Sequence, residues 1–102
     1  MMNQQMMAQL RKMQTEMTKA QEELASTVVT GSAAGGLVNV DLTCDMRVKA
    51  VHVDKSAIDP DDPETLEDLV AVAVNDALGK AQETSSKRMS ALTGGMRVPG
   101  LF

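Results

Sequence analysis

Between Leu66 and Ala81 the chain carries a helical pattern that is apolar on more than one side, which a single small subunit cannot bury. Leu66, Leu69, Val70, Ala73, Val74, Ala77, Leu78 and Ala81 recur at i, i+3, i+4, i+7 and line one core-facing stripe. At about 100° per residue, Ala71, Val72, Asn75 and Gly79 fall on or near the opposite side, where a solvated helix would carry Lys or Glu. A second body has to cover them. In a chain of 102 residues the simplest second body is another copy, so the pattern predicts an intimate homodimer with those four residues at the joint.

A chain this short makes one domain, expected over residues 1–92, with a mobile tail over 93–102. Its core is aliphatic: Phe102 is the one aromatic residue, and nine methionines supply flexible apolar bulk. The single cysteine, Cys44, rules out an intrachain disulfide and thiolate-rich metal sites, and is read as an incidental exposed thiol in a tight turn. His52 has no serine, cysteine or second histidine pattern to work with. The acids Asp59, Asp61, Asp62 and Glu64 lack the central Gly and twelfth-position Glu of a calcium loop, and helix capping explains them better. The expectation is therefore no enzyme, no cofactor, no metal and no small-molecule substrate. No stretch approaches the roughly 18 apolar residues of a membrane span. The start, Met1-Met2-Asn3-Gln4-Gln5, lacks the cationic head and apolar run of a secretory signal, so a cytoplasmic location is expected.

Met6, Leu10, Met13, Met17, Ala20 and Leu24 alternate steps of four and three, an a/d seam on a helix from Asn3 to about Ala25. Ser26–Thr30 then reads as a short strand stopped by a Gly31–Gly36 hairpin loop. Val38, Val40 and Leu42 alternate with Asn39, Asp41 and Thr43, which predicts a strand wet on one side. Cys44-Asp45 turns into a third strand, Met46–Val53, whose apolar phase slips between Val48 and Val51 and predicts a bulge. Asp62 and Pro63 suit the cap and first position of a final helix reaching Ser90 or Leu92 before Gly94-Gly95. The fold class is α+β: a long N-terminal helix, a three-stranded antiparallel meander and a long C-terminal helix.

The segment Val53-Asp54-Lys55-Ser56, the Gly35-Gly36-Leu37-Val38-Asn39-Val40 hairpin, the run from Leu66 through Ala73 to Asn75-Asp76-Ala77, and Gly95-Met96 with Pro99-Gly100 lie collinearly behind a Met- and Gln-rich first helix. In this set the chain resembles the YbaB/EbfC family of bacterial nucleoid-associated proteins, over nearly its whole length. The resemblance implies a tweezer-shaped homodimer with helices projecting from a shared β-rich body. It also implies binding to double-stranded DNA with limited sequence preference, in the nucleoid, and no enzymatic activity.

Charge decides where such binding could occur. The net charge is −4, but residues 1–40 balance to zero, residues 41–79 reach −7 and residues 80–102 reach +3. Sequence-independent duplex binding needs Lys and Arg along phosphates and no catalytic group. The candidates are Arg11, Lys12 and Lys19 on the first helix with Lys87 and Arg88 on the last. Without Trp, Tyr or internal Phe there is no platform for stacking unpaired bases, which favours duplex over single strand. The alternative is a protein-interaction module in which the Met-rich N-terminal helix offers its seam to a partner and DNA binding is weak or absent.

Overall fold

The computed structural model describes residues 3–92, so the tail expected over 93–102 lies outside the described residues. The first helix, α1, runs over Gln4–Ser26; the strands are β1 (Val28–Ala33), β2 (Val38–Thr43) and β3 (Arg47–Val53); the last helix, α2, runs over Pro63–Leu92. Short 3-10 turns at Ala34–Gly36 and Lys55–Ala57 link the elements. This is the expected α+β order, and the sheet is the expected meander, β1-β2-β3, antiparallel throughout.

The caps explain where the helices begin. Asn3 accepts the Met6 N–H at 2.8 Å at the head of α1. At α2, Asp62 accepts both the Thr65 N–H and the Thr65 hydroxyl, with Pro63 in the first helical position. The bulge anticipated in β3 is present: Asp41 pairs with Ala50 and Leu42 with Val48, leaving Lys49 extra.

α2 lies across β1 and β2, and the core forms between them. Val38, Val40 and Leu42 point into it from β2; Ala73, Ala77 and Ala81 point into it from α2. The alanines let the helix come close, and Gly31 lets it come closer. A Cβ built at Gly31 would stand 2.2 Å from the Ala73 carbonyl oxygen and 2.3 Å from the Ala77 nitrogen. Gly31 is thus a strand residue, as β1 extends to Ala33, rather than the start of the hairpin loop expected from its type. The loop is confined to residues 34–37, with φ of 67° at Gly35 and 99° at Gly36.

One further expectation is corrected. Cys44 is buried in the core, not exposed; its backbone N–H donates to the carbonyls of Leu24 and Thr27, which draws the turn beneath the end of α1. The a/d seam of α1 is not buried along its length: Ala20 and Leu24 are covered, Met13 is half-buried, and Met6, Leu10 and Met17 are exposed. Only the last turns of α1 meet the body.

The result is an elongated molecule. Its extents are 69 × 25 × 19 Å and its radius of gyration is 19.4 Å, against about 13 Å for a compact domain of this length. A two-helix arm, made by α1 and the second half of α2, projects from a small sheet-and-helix body.

Candidate nucleic-acid interface

All five candidate cations lie on this arm. α1 and α2 run antiparallel along it, since Glu23 meets Arg88 and, nearer the tip, Glu16 and Lys19 share a cleft with Ala91 and Leu92. Arg11, Lys12 and Lys19 are exposed on α1. Lys12 and Lys19, seven residues apart, share one flank of the helix. Arg11 and Lys19 border the same shallow surface with Gln14, Thr15, Thr18 and Glu22; the Thr15 and Thr18 hydroxyls donate back to the Arg11 and Gln14 carbonyls, so the two cations are its groups for phosphate.

The cations on α2 are held differently. Lys87 is exposed and pairs along its own helix with Glu83 at 3.1 Å. Arg88 is half-buried, and its Nε donates to Glu23 Oε2 at 2.8 Å. That hydrogen bond and the neighbouring guanidinium charge hold the Glu23 carboxyl below its usual range, and Glu23 in turn raises Arg88. Arg88 therefore serves first as the tie between the two helices. Its partner across 65 positions is Glu23, which in the sequence reads as one more solvated acid of the first helix.

Lys80 is a second cation with a structural post. Its Nζ donates to the Thr30 carbonyl at 2.8 Å and lies 3.2 Å from Asp76, while Asp76 accepts the Ser32 N–H at 2.9 Å. Two α2 side chains thus occupy the outer edge of β1, blunting it against pairing with another strand. The Ser32 N–H and then Lys80 lower the Asp76 carboxyl.

The arm is cationic where the body is acidic. Over Gln4–Ser26 and residues 81–92, five Lys or Arg stand against four Glu, whereas residues 41–79 carry −7. On the outer face of the sheet, His52 Nε2 lies 3.3 Å from Asp41, which also accepts the Thr30 hydroxyl at 2.8 Å; this is a satisfied surface network with no nucleophile in it. Among the described residues no group of three or more His, Cys, Asp and Glu could hold a metal ion. No helix among them is long and apolar enough to cross a membrane.

Ala71, Val72, Asn75 and Gly79 are all exposed on the back of α2, Val72 at 55 %. Sequence reasoning missed a second uncovered apolar surface. Val48 and Val51 pair with Leu42 and Val40 and so share the core face of the sheet, yet they are 54 % and 47 % exposed because α2 covers β1 and β2 and stops short of β3.

A model of the YbaB/EbfC DNA-binding family matches residues 1–96. A nucleoid-associated protein of Chloroflexus aurantiacus is 46% identical over 102 residues, spanning 99% of this chain and 100% of that protein. Another from Bordetella avium is 50% identical over 94 residues, spanning 92% and 86%. Among solved structures, an uncharacterized protein from Helicobacter pylori has the same fold, with a TM-score of 0.80 at 22% identity over 92% of this chain and 99% of that one.

Proposed function

The chain belongs to the YbaB/EbfC DNA-binding family, and from that premise we propose that it is a nucleoid-associated protein that binds duplex DNA as a homodimer, with limited sequence preference. The observation that carries this reading is the separation of charge between a cationic arm and an acidic body. Phosphate attraction is then confined to the arm, and the body is repelled from the duplex. One arm is a weak site. Pairing two chains pools Arg11, Lys12, Lys19, Lys87 and Arg88 from each, and two projecting arms can engage one duplex or two.

Dimerisation is supported by the apolar surface that one copy leaves uncovered: Val48 and Val51 on β3, and the back of α2 at Ala71, Val72, Asn75 and Gly79. A second copy is the partner always present at matching concentration, and a self-complementary patch closes as a two-fold pair. The names of the relatives support a place in the nucleoid. The reading is tested by electrophoretic shifts of unrelated duplexes across a salt series. Affinity should fall steeply with salt and vary little with sequence, and single strands should compete poorly. Binding that is insensitive to salt, or absent at low salt, overturns it.

A further inference from the structure

The acidity of the body is concentrated at one end. Residues 54–68 hold seven acids against Lys55, a net −6, while the rest of residues 41–79 hold Asp41, Asp45 and Asp76 against Arg47 and Lys49, a net −1. The strand register places Arg47 and the 54–68 segment at opposite ends of the sheet. Thr43 pairs with Val28 and Arg47 beside the last turn of α1, whereas Val38 pairs with Ala33 and Val53 at the far end, where the chain leaves β3 for residues 54–62 and the start of α2. The end of the body from which the arm projects therefore carries two exposed cations, Arg47 and Lys49, away from the acidic pole.

Both line an open groove at the foot of α1, with Ser26 on its helix side and Asp45 as its one acid. Asp45 accepts the Thr43 hydroxyl, and the Arg47 Nε lies 3.8 Å from it, beyond hydrogen-bond reach, with 83 % of the Arg47 side chain exposed. Lys49 is the extra residue of the β3 bulge, so it stands outside the ladder and beside Arg47 on the groove. Ser26 joins this groove to the arm. It follows Lys19 by seven residues, as Lys19 follows Lys12, so the three lie along one flank of α1 at steps of about 10 Å. The flank that carries two of the arm's lysines thus descends into the groove that holds Arg47 and Lys49. Lys12 to Ser26 is about 21 Å along the helix, less than the ~34 Å of one duplex turn, so a single stretch of duplex can face the whole line.

We propose that Arg47 and Lys49 extend the duplex-binding track of their own chain from α1 onto the foot of β3, and that the bulge serves to set Lys49 in that track. This rests on the reading of the arm as a DNA-binding surface. The track also acquires an end: phosphates follow the flank of α1 as far as the groove, and the acids of residues 54–68 turn them away from the far pole of the body.

The test is titration of a labelled duplex across a salt series, with light scattering and circular dichroism on each variant. Arg47→Gln combined with Lys49→Gln, both at exposed positions and so compatible with folding, should weaken binding and lower the slope of log affinity against log salt by about two for each arm engaged, at unchanged mass and helicity. Lys55→Gln removes a like charge from the acidic pole and should leave the slope as it is. A double variant that keeps the affinity and slope of a wild type that binds overturns this proposal alone; a wild type that shifts no duplex overturns the arm reading with it. An equal loss per charge in Lys55→Gln also overturns it, since net charge and not the groove would then be acting. So does a double variant that binds weakly because its mass has fallen to one chain, which would assign the pair to the joint between copies.

Discussion

Gly31 and Ala77 set how closely strand and helix approach: a methyl group on Gly31 would lie 2.3 Å from the Ala77 nitrogen and 2.7 Å from its Cα. Backbone on both sides leaves no flexible side chain to yield. Gly31→Ala should therefore push α2 off β1 and lower stability by about 1–3 kcal/mol or more, as overpacked cores do. Gly79→Ala, with open space around its Cβ within one copy and ordinary helical φ, should instead stabilise the single chain by up to about 1 kcal/mol when both glycine variants are made in a Val72→Asp background that removes the proposed joint. Urea midpoints of the two variants check the pair; equal effects would contradict this packing.

The tie between Glu23 and Arg88 competes with phosphate for the same guanidinium. Glu23→Gln removes one acid from the arm and frees Arg88, so duplex affinity should rise, and the salt slope should steepen by about one for each further phosphate the arm engages. Arg88→Gln should weaken binding less than Arg11→Gln, because the Arg88 guanidinium is already paired with Glu23 in the free protein. Titrations of a labelled duplex at several salt concentrations measure both.

Acid should loosen the fold at identifiable points. Glu23 is held low chiefly by Arg88, Asp41 by the Thr30 hydroxyl, Asp54 by the Ser56 N–H and Asp76 by the Ser32 N–H. Each carboxyl binds its proton more weakly folded than unfolded. Their contribution is thus complete above the ordinary carboxylate range near about pH 4 and is lost as pH falls through their lower folded values. Denaturation midpoints should be level from neutral pH down to about pH 5 and drop below that. Asp76→Asn should flatten part of the drop, and an unchanged midpoint at about pH 3 would contradict the assignment.

Covering Val48 and Val51 is the task assigned to a second copy. Val51→Lys or Val72→Asp should convert a particle of twice the 10.9-kDa chain mass to a single chain, as light scattering would show, because both side chains are already about half exposed in one copy. A wild-type protein that stays at one chain mass at micromolar concentration would remove the dimer.

How much of this is legible in the sequence depends on whether the signal is local. Asp62-Pro63 marks the start of α2 by capping chemistry within three residues, and the phase slip between Val48 and Val51 marks the bulge. Gly31 reads wrongly as a loop residue because its role is set by a helix more than forty positions away. Its type alone does not distinguish close approach from a turn. The same limit hides Glu23 among the other charged residues of α1, and hides the exposure of Val48 and Val51, whose β-strand alternation reads as core. The five cations can be placed on two helices from the sequence, but their convergence on one arm requires the antiparallel packing of α1 and α2.

The central claim is that the arm's cations hold duplex DNA while the body holds the dimer. The direct measurement is the salt-dependent gel shift of a variant carrying Arg11→Glu, Lys12→Glu and Lys19→Glu, all exposed and outside the proposed joint. The expected result is a protein that keeps wild-type mass and helicity and no longer shifts duplex at low salt. Retention of wild-type affinity and salt slope by that variant would contradict the claim.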